Sequence, residues 1–288
     1  MNSDNKMKRR LRKLWSRLGS EKSAPIADWQ KREIIAQFAK EFKNDFPEQP
    51  LVLLDLGSSG ARHPHWQSLL EREFLQIIAV DMADDWSIIK PNQTANLITI
   101  KTALGDQNTE RIAFITKHPA CTSVLKPNAN ILESYPVKEW FEVVREEKIQ
   151  TRRYDELAIE KSLPQPDIAK IDVQGFEAQV LVGMGAVLDN IACVEFECQL
   201  KPIYKDQTIF QELYGFMINK GFILRDLKPQ GPFEGEALEF NSFWIKKIQT
   251  ERQKRIQSLW EMANEIWPKV DFNQIDTLQR KAYLFNES

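Results

Sequence analysis

The sequence predicts an α/β fold with a mostly parallel, doubly wound sheet that an antiparallel pair of strands closes. Short runs that are apolar on both faces alternate with helical patterns, as in parallel strands covered on two sides. Most of these runs are followed directly by an acid or a glycine, and ligands of such sheets bind at the carboxyl ends of the strands. The chain has 288 residues, 42% of them hydrophobic, which is enough to bury a full core.

Composition divides the chain into a basic arm (1–23), a central domain with a helical lead-in (24–248, lead-in 24–48) and a helical C-terminal extension (249–288). Ile35, Phe38 and Phe42 recur at spacings of three and four, which predicts the lead-in helix. In chain order, the predicted strands are Leu51–Leu56, Gln76–Val80, Leu97–Lys101, Ile168–Ile171 and Ile191–Phe196, with a closing antiparallel pair at Gly221–Arg225 and Phe240–Ile245.

Charge and cysteine content bound the environment of the protein. A net charge of -2 argues against a dedicated nucleic-acid binder. No run approaches the roughly 18 apolar residues of a membrane span, and the N-terminus lacks the apolar core of a signal peptide. Three cysteines, Cys121, Cys193 and Cys198, suit buried thiols in a reducing compartment better than a disulfide framework. We therefore expect a cytoplasmic protein without a nucleic-acid partner.

The arm over residues 1–23 differs from the rest of the chain. It contains eight Lys or Arg and two acids, and Leu11, Leu14, Trp15 and Leu18 fall on one helical face. This pattern is typical of a helix lying on a membrane surface. Two interpretations remain open: peripheral contact with the inner face of the membrane, or a solubilising tail.

A glycine turn follows the first predicted strand. Asp55, Gly57, Ser58 and Gly60 lie in the run DLGSSG, and Asp81 ends the second strand 24 residues after Gly57. Glycine lets the backbone approach a ligand closely, and an acid at the second strand can accept hydrogen bonds from ribose hydroxyls. The turn lacks the GxGxxG pattern that cradles a pyrophosphate. S-adenosylmethionine has no pyrophosphate, so the pattern favours it over a dinucleotide.

A second polar cluster follows the fourth predicted strand. Asp172 leaves this strand, Gly175 permits a tight turn, and Glu177 falls in the first turn of the next helix, where the helix dipole favours an anion. Polar groups at one strand end are costly to bury without a ligand. The alternative is a structural role for both acids, as a helix cap and a first-turn acid.

The run KIDVQGFEAQVLVGM resembles the signature of FkbM-type methyltransferases, and LLDLGSSGARHPHW is similar to the glycine turn of that family's polysaccharide-cluster branch. TALGD, CTSVLKPN, RRYDELA, VEFECQLKPIYKDQTIFQEL and GFILRDL follow in family order, so the resemblance spans most of residues 51–247. It implies a class I Rossmann-like fold, S-adenosylmethionine as cofactor, and O-methylation of a sugar, a glycan or glycolipid intermediate, or a related natural product.

The resemblance also implies roles for individual residues. It assigns donor binding to Asp55, Gly57, Ser58, Gly60 and Asp81, with Leu104 and Asp106 near the adenine. It places Asp172 and Glu177 at the transferred methyl or the acceptor hydroxyl. The family's DVEG is DVQG here, so Gln174 cannot fill a role that needs charge, and RRYDEL replaces the more usual TLDEL.

The general base stays open among several residues. His63, His65 and His118 are the only histidines; each could accept a proton or be a surface residue. The catalytic candidates are Asp172, Glu177 and His63, and the acceptor-contacting candidates are Gln174, His118 and Glu197. No metal-ligand cluster stands out, although Asp172 with Glu195 or Glu197 is an alternative divalent-ion site.

Two rival functions are weighed against the methyltransferase. A nicotinamide-dependent oxidoreductase would need the third glycine, which is missing. A non-catalytic binding module that kept the fold is disfavoured because Asp55, Asp81 and Asp172 are all present.

Overall fold

The structure, a computed structural model, describes residues 28–57, 64–82, 96–231, 233, 235–247 and 250–266. The predicted arm at residues 1–23 lies outside them. The helices are α1 (Asp28–Asp45), α2 (Pro64–Glu71), α3 (Ala129–Leu132), α4 (Tyr154–Glu160), α5 (Glu177–Gly183), α6 (Phe210–Asn219) and α7 (Glu251–Ala263). The strands are β1 (Leu51–Leu56), β2 (Leu75–Asp81), β3 (Leu97–Lys101), β4 (Ala103–Leu104), β5 (Thr109–Thr116), β6 (Val143–Arg152), β7 (Ile168–Ile171), β8 (Cys193–Gln199), β9 (Phe222–Gln230) and β10 (Glu239–Lys246).

The main sheet has the order β3-β2-β1-β7-β8-β10-β9 in the described part of the chain. Strands β3, β2, β1, β7 and β8 run parallel to one another, and β10 pairs antiparallel with both β8 and β9. All five predicted parallel strands and the closing pair are confirmed. The chain winds outward from β1 to β3 and later returns to the other side of β1 with β7. The carboxyl ends of β1 and β7 therefore form the switch point at which doubly wound sheets bind ligands.

Both faces of the sheet are covered, which explains the continuous apolar runs. In β1 every residue is buried. Leu51 and Leu53 point into a core with α1, α2 and α7, whereas Val52 and Leu54 point into a core with α4, α5 and α6. Because neither face meets water, the strands carry no polar alternation.

Helix α7 is part of the second core. Trp260 is fully buried, and its ring centroid lies 5.7 Å from that of Phe243 in β10. Arg252 binds both carboxylate oxygens of Asp167, one of them at 2.8 Å, and Asp167 also accepts the N–H of Val52 at 3.0 Å. The helix predicted within 249–288 thus completes the domain, and residues 267–288 lie outside the described ones.

A second sheet, with the order β4-β6-β5, was not predicted. Strand β5 is only partly buried and most of β6 is exposed on both faces, so their charged and apolar residues mix and no apolar run marks them. Their connection, residues 117–142, packs on Ile203, Tyr204, Phe233 and Leu238 in a third core of apolar and aromatic side chains. Where helices are described, none is long and apolar enough to cross a bilayer.

Candidate functional site

The ends of β1 and β7 are in backbone contact at Gly57. The N–H of Gly57 donates to Val80 at 3.0 Å, and that of Asp172 donates to Leu56 at 3.0 Å. Gly57 has φ +74°, and a Cβ atom there would lie 1.8 Å from the carbonyl oxygen of Asp172. Only glycine fits both constraints. This contact places the predicted glycine turn beside the predicted Asp172 site.

Asp81 lies at the same edge of the sheet. It is the last residue of β2 and is half-buried, and its carbonyl accepts the N–H of Thr102 at 2.9 Å. The structure therefore places the acid where the second strand meets the crevice, as expected from the sequence. Its contact with a ribose remains a prediction.

A row of charged side chains crosses the sheet one residue before the carboxyl ends of β1 and β7. Asp55 pairs in register with Lys170, which pairs with Glu195. Asp55 is 2% exposed, so its carboxylate lies within the sheet. Burial lowers the pKa of Lys170, but Asp172 and Asp55 outweigh that effect and the pKa is raised. Burial raises the pKa of Glu195 to about 7, against the opposing charge of Lys170.

Lys170 was missed by the sequence analysis. Its Nζ lies 3.4 Å from Oδ2 of Asp172. The signal was a lysine inside the otherwise apolar strand IAKI, since a buried lysine is rare unless it is paired.

The turn after β7 is held by Glu177. Gln174 and Gly175 have φ +54° and +91°, and Oε1 of Glu177 accepts the N–H groups of Val173 and Gly175 at 3.1 and 3.2 Å. Glu177 begins α5 as expected and is 1% exposed. Burial raises its pKa to about 8, although the backbone donors oppose the shift. Its geometry favours the structural alternative over direct contact with an acceptor.

Gln174 joins two carboxyl groups. Its Nε2 donates to Oδ1 of Asp172 at 2.9 Å and to Oε2 of Glu197 at 3.0 Å. Its Oε1 lies 3.2 Å from the hydroxyl of Tyr204. Burial raises the pKa of Glu197 well above its ordinary value, and the charge of Asp172 raises it further. The structure therefore brings together three of the predicted residues, Asp172, Gln174 and Glu197.

A second amide extends this network. Nε2 of Gln199 lies 3.3 Å from Oε2 of Glu197 and 3.0 Å from Oε2 of Glu239, and its Oε1 accepts from Gln207. Burial raises the pKa of Glu239. Sequence reasoning missed Gln199, Gln207 and Glu239. The available signal was the alternation of polar residues in VEFECQ, an otherwise buried strand.

The connection over residues 117–142 covers this network. Oγ of Ser123 donates to the carbonyl of Gln174 at 2.6 Å, and the hydroxyl of Tyr204 lies 3.0 Å from the carbonyl of Cys121. The predicted buried state of Cys121, Cys193 and Cys198 is confirmed, and all three are free.

The remaining predicted residues lie elsewhere. Ser58, Gly60 and His63 are outside the described residues, as is the side chain of His65. His118 is exposed, and its ring stacks on Trp140 with 4.8 Å between centroids. Its contact with an acceptor remains a prediction.

Leu104 and Asp106 lie in and after β4. Leu104 is buried. Oδ1 of Asp106 accepts from Arg111 at 2.8 Å, and the guanidinium of Arg111 lies over the ring of Phe176. The carboxylate is thus committed to an ion pair, and its proximity to an adenine remains a prediction. Among the described side chains, no group of three His, Cys, Asp or Glu has the arrangement of a metal site.

This fold and its edge define a class of protein. The strand order, the glycine turn after β1 and the acid ending β2 are those of a class I Rossmann-like domain with a nucleoside-binding crevice. The chain belongs to the FkbM methyltransferase family, because the profile described as "Methyltransferase FkbM domain" matches residues 72–224, more than half of the chain. It is an S-adenosylmethionine-dependent methyltransferase by family and fold. The match does not include residues 51–71, so the assignment of β1 and its glycine turn to the nucleoside-binding crevice depends on the structure alone.

Similarity to solved structures was also found. Magnesium protoporphyrin IX methyltransferase from Synechocystis PCC 6803, with bound S-adenosylmethionine, has 9% identity over 81% of this chain and 89% of that one, with a TM-score of 0.36. The 1,6-didemethyltoxoflavin-N1-methyltransferase from Burkholderia thailandensis, with its substrate and S-adenosylhomocysteine bound, has 11% identity over 76% and 81%, with a TM-score of 0.35. In a comparison with curated proteins, no sequence matched.

Proposed function

We propose that the protein transfers a methyl group to a hydroxyl oxygen of a sugar, a glycan or glycolipid intermediate, or a related natural product. The observation that carries the proposal is the set of carboxyl and amide groups at the ends of β7 and β8. Gln174 lies within hydrogen-bonding distance of both Asp172 and Glu197. Carboxylate and amide groups can both orient hydroxyls by hydrogen bonding, so the site suits a hydroxyl-bearing acceptor.

The residues beside this set fit the methyl donor. Gly57 allows the ends of β1 and β7 to meet, because a Cβ atom there would lie 1.8 Å from the carbonyl oxygen of Asp172, and so the turn after β1, where the donor would bind, lies beside Asp172. Asp81 offers a carboxylate at the end of β2 for ribose hydroxyls. The carboxylate of Asp172, 36% exposed as a side chain, offers negative charge near a positive sulfonium. On this proposal, Ser58 and Gly60 also bind the donor, and Leu104 and Asp106 lie near the adenine.

S-adenosylmethionine, when bound, supplies an electrophilic methyl carbon on a positively charged sulfur. Asp172 accepts the proton of the acceptor hydroxyl at one of its oxygens, since an alcohol needs a base or a strong orienting acceptor to attack. Lys170 stabilises the carboxylate of Asp172 from 3.4 Å. The connection over 117–142 excludes water, and positioning of the two reactants supplies most of the rate. Glu177 holds the turn that carries Asp172.

Donor binding is the first test. Calorimetry should show S-adenosylhomocysteine binding to the wild type, and Asp81→Ala should remove most of the affinity because ribose hydrogen bonds are lost. Asp189→Ala is a matched control, since Asp189 is exposed and pairs with Lys220 on the surface. Absence of binding by the wild type at near-millimolar ligand would contradict the proposal.

Acceptor chemistry is the second test. With labelled donor and a panel of hydroxylated sugars and glycolipids, Asp172→Asn should slow single-turnover methyl transfer by about a hundredfold, because the shape is kept and the base is lost. Affinity for S-adenosylhomocysteine, which lacks the sulfonium charge, should change little. Full activity of Asp172→Asn would reject it as the base and return attention to His63, His65 and His118. Donor binding without transfer to any acceptor would favour the non-catalytic module.

A further inference from the structure

We propose that Gln174 is a positioning residue whose side-chain amide links Asp172 to Glu197 and thereby orients the carboxylate that accepts the proton. This inference rests on the proposed function. It concerns the glutamine of the run DVQG, whose neutral amide lies between two carboxyl groups.

The geometry requires an amide. The two N–H groups of Nε2 point to two different carboxyl oxygens, at 2.9 and 3.0 Å, while Oε1 faces the hydroxyl of Tyr204. A primary amide has two donors and one acceptor oxygen, which matches this set. An ionised glutamate at the same place has no donor and would add a negative charge beside Asp172 and Glu197.

The backbone of Gln174 is held in an unusual conformation. Its φ of +54° lies in the left-handed region, which disfavours a residue with a side chain. Two groups from the segments that cover the network, residues 117–142 and 200–207, hold it there. Ser123 donates to its carbonyl at 2.6 Å, and the hydroxyl of Tyr204 donates to its amide oxygen. Strained residues persist where surrounding structure imposes them, often at functional sites. The covering segments therefore determine where the amide points.

The surroundings separate the two carboxyl groups that Gln174 joins. Asp172 is partly exposed, and the ammonium of Lys170 lies 3.4 Å from its carboxylate. Glu197 lies among Asp172, Glu177 and Glu239, and its pKa is raised by burial first and then by the charge of Asp172. The other titratable groups against the cluster are Lys170 and Glu195 in the sheet and the hydroxyl of Tyr204. The raised pKa of Glu197 favours its protonated form, and Asp172, which is partly exposed beside Lys170, is the carboxylate that we assign to accept the proton.

The test compares Gln174→Glu and Gln174→Met with Gln211→Glu. Gln211 is an exposed residue of α6, so this control adds the same charge away from the site. Gln174→Glu should lower kcat at least about tenfold and move the acidic limb of the pH–rate profile upward by about one pH unit, because like charge disfavours an ionised base. Gln174→Met removes the donors without adding charge, so it should lower kcat with a smaller shift. The KM for the donor should stay unchanged in both.

A second readout needs no acceptor. Carboxyl resonances of protein labelled with ¹³C in Asp and Glu, assigned with Asp172→Asn and Glu197→Gln, should titrate at different pH in Gln174→Glu but not in Gln211→Glu. Calorimetry with S-adenosylhomocysteine checks that each variant is folded. If Gln174→Glu does not fold, the titrations are compared in Gln174→Met instead.

The outcomes separate the two proposals. Unchanged carboxyl titrations and an unmoved pH limb in both Gln174 variants would overturn the positioning role, even if methyl transfer occurs. Shifted titrations with no transfer to any acceptor would support the link between Asp172 and Glu197 while the proposed function fails. A shifted pH limb together with shifted carboxyl titrations in the Gln174 variants would support the positioning role of Gln174.

Discussion

Replacement of Glu177 by Gln tests whether the buried carboxyl that holds the turn after β7 is protonated in the folded protein. The side chain is 1% exposed, and Gln keeps an oxygen that can accept the N–H groups of Val173 and Gly175. The pKa of Glu177 is raised from 4.5 to about 8 by burial. Between these values the unfolded chain releases a proton that the folded protein keeps.

The direction of the pH effect on stability follows from the difference between the folded and unfolded pKa values of Glu177. A group with a raised pKa contributes stability that is fully present below its unfolded pKa and is lost as pH rises through its folded pKa. The loss is at most about 1.4 kcal/mol per pH unit, hence about 2 to 3 kcal/mol between pH 5.5 and pH 7.5. Glu177→Gln has no proton to lose, so it should become more stable relative to the wild type by about that amount at the higher pH.

Urea unfolding of both proteins at the two pH values measures this effect. The double difference in the free energy of unfolding cancels the other titrating groups, and Glu146→Gln, at an exposed position of β6, is the control. A difference between wild type and Glu177→Gln that stays constant with pH would refute the reasoning. Glu177 would then be charged in the folded protein, and burial would not govern its protonation.

Three further predictions concern the turn, the C-terminal helix and the arm. Gly57→Ala should lower the free energy of unfolding by at least about 2 kcal/mol and abolish donor binding, since its Cβ would meet Asp172 at 1.8 Å; thermal unfolding and calorimetry would show it. Trp260→Ala should cost about 3 to 5 kcal/mol in urea unfolding, because it empties the core beside Phe243; a cost below about 1 kcal/mol would contradict this packing. The wild type should sediment with anionic liposomes at low salt and release as salt rises, whereas a chain without residues 1–23 should not; equal sedimentation would exclude the arm as anchor.

Much of the fold could be predicted from the sequence because its strands are buried on both faces. LVLLDL and QIIAV can be parallel core strands only if helices cover them, and the structure has them so. The closing antiparallel pair was also predicted. The β5–β6 sheet was not, since strands that are largely exposed mix polar and apolar residues. The packing of α7 was not predicted because it depends on contacts such as that of Arg252 with Asp167, 85 residues apart. The spacing of apolar residues within one helix does not indicate such distant contacts.

The candidate site divides in the same way. The sequence by itself determined that Gly57, Asp81 and Asp172 lie at one edge, because the carboxyl ends of parallel strands meet there. Only the tertiary structure decided that Gln174 would lie between Asp172 and Glu197 under Ser123 and Tyr204. Those contacts join segments 23 to 51 residues apart. They depend on how the covering segments pack and on which side-chain atoms can donate or accept, and neither follows from the spacing of residues along the chain.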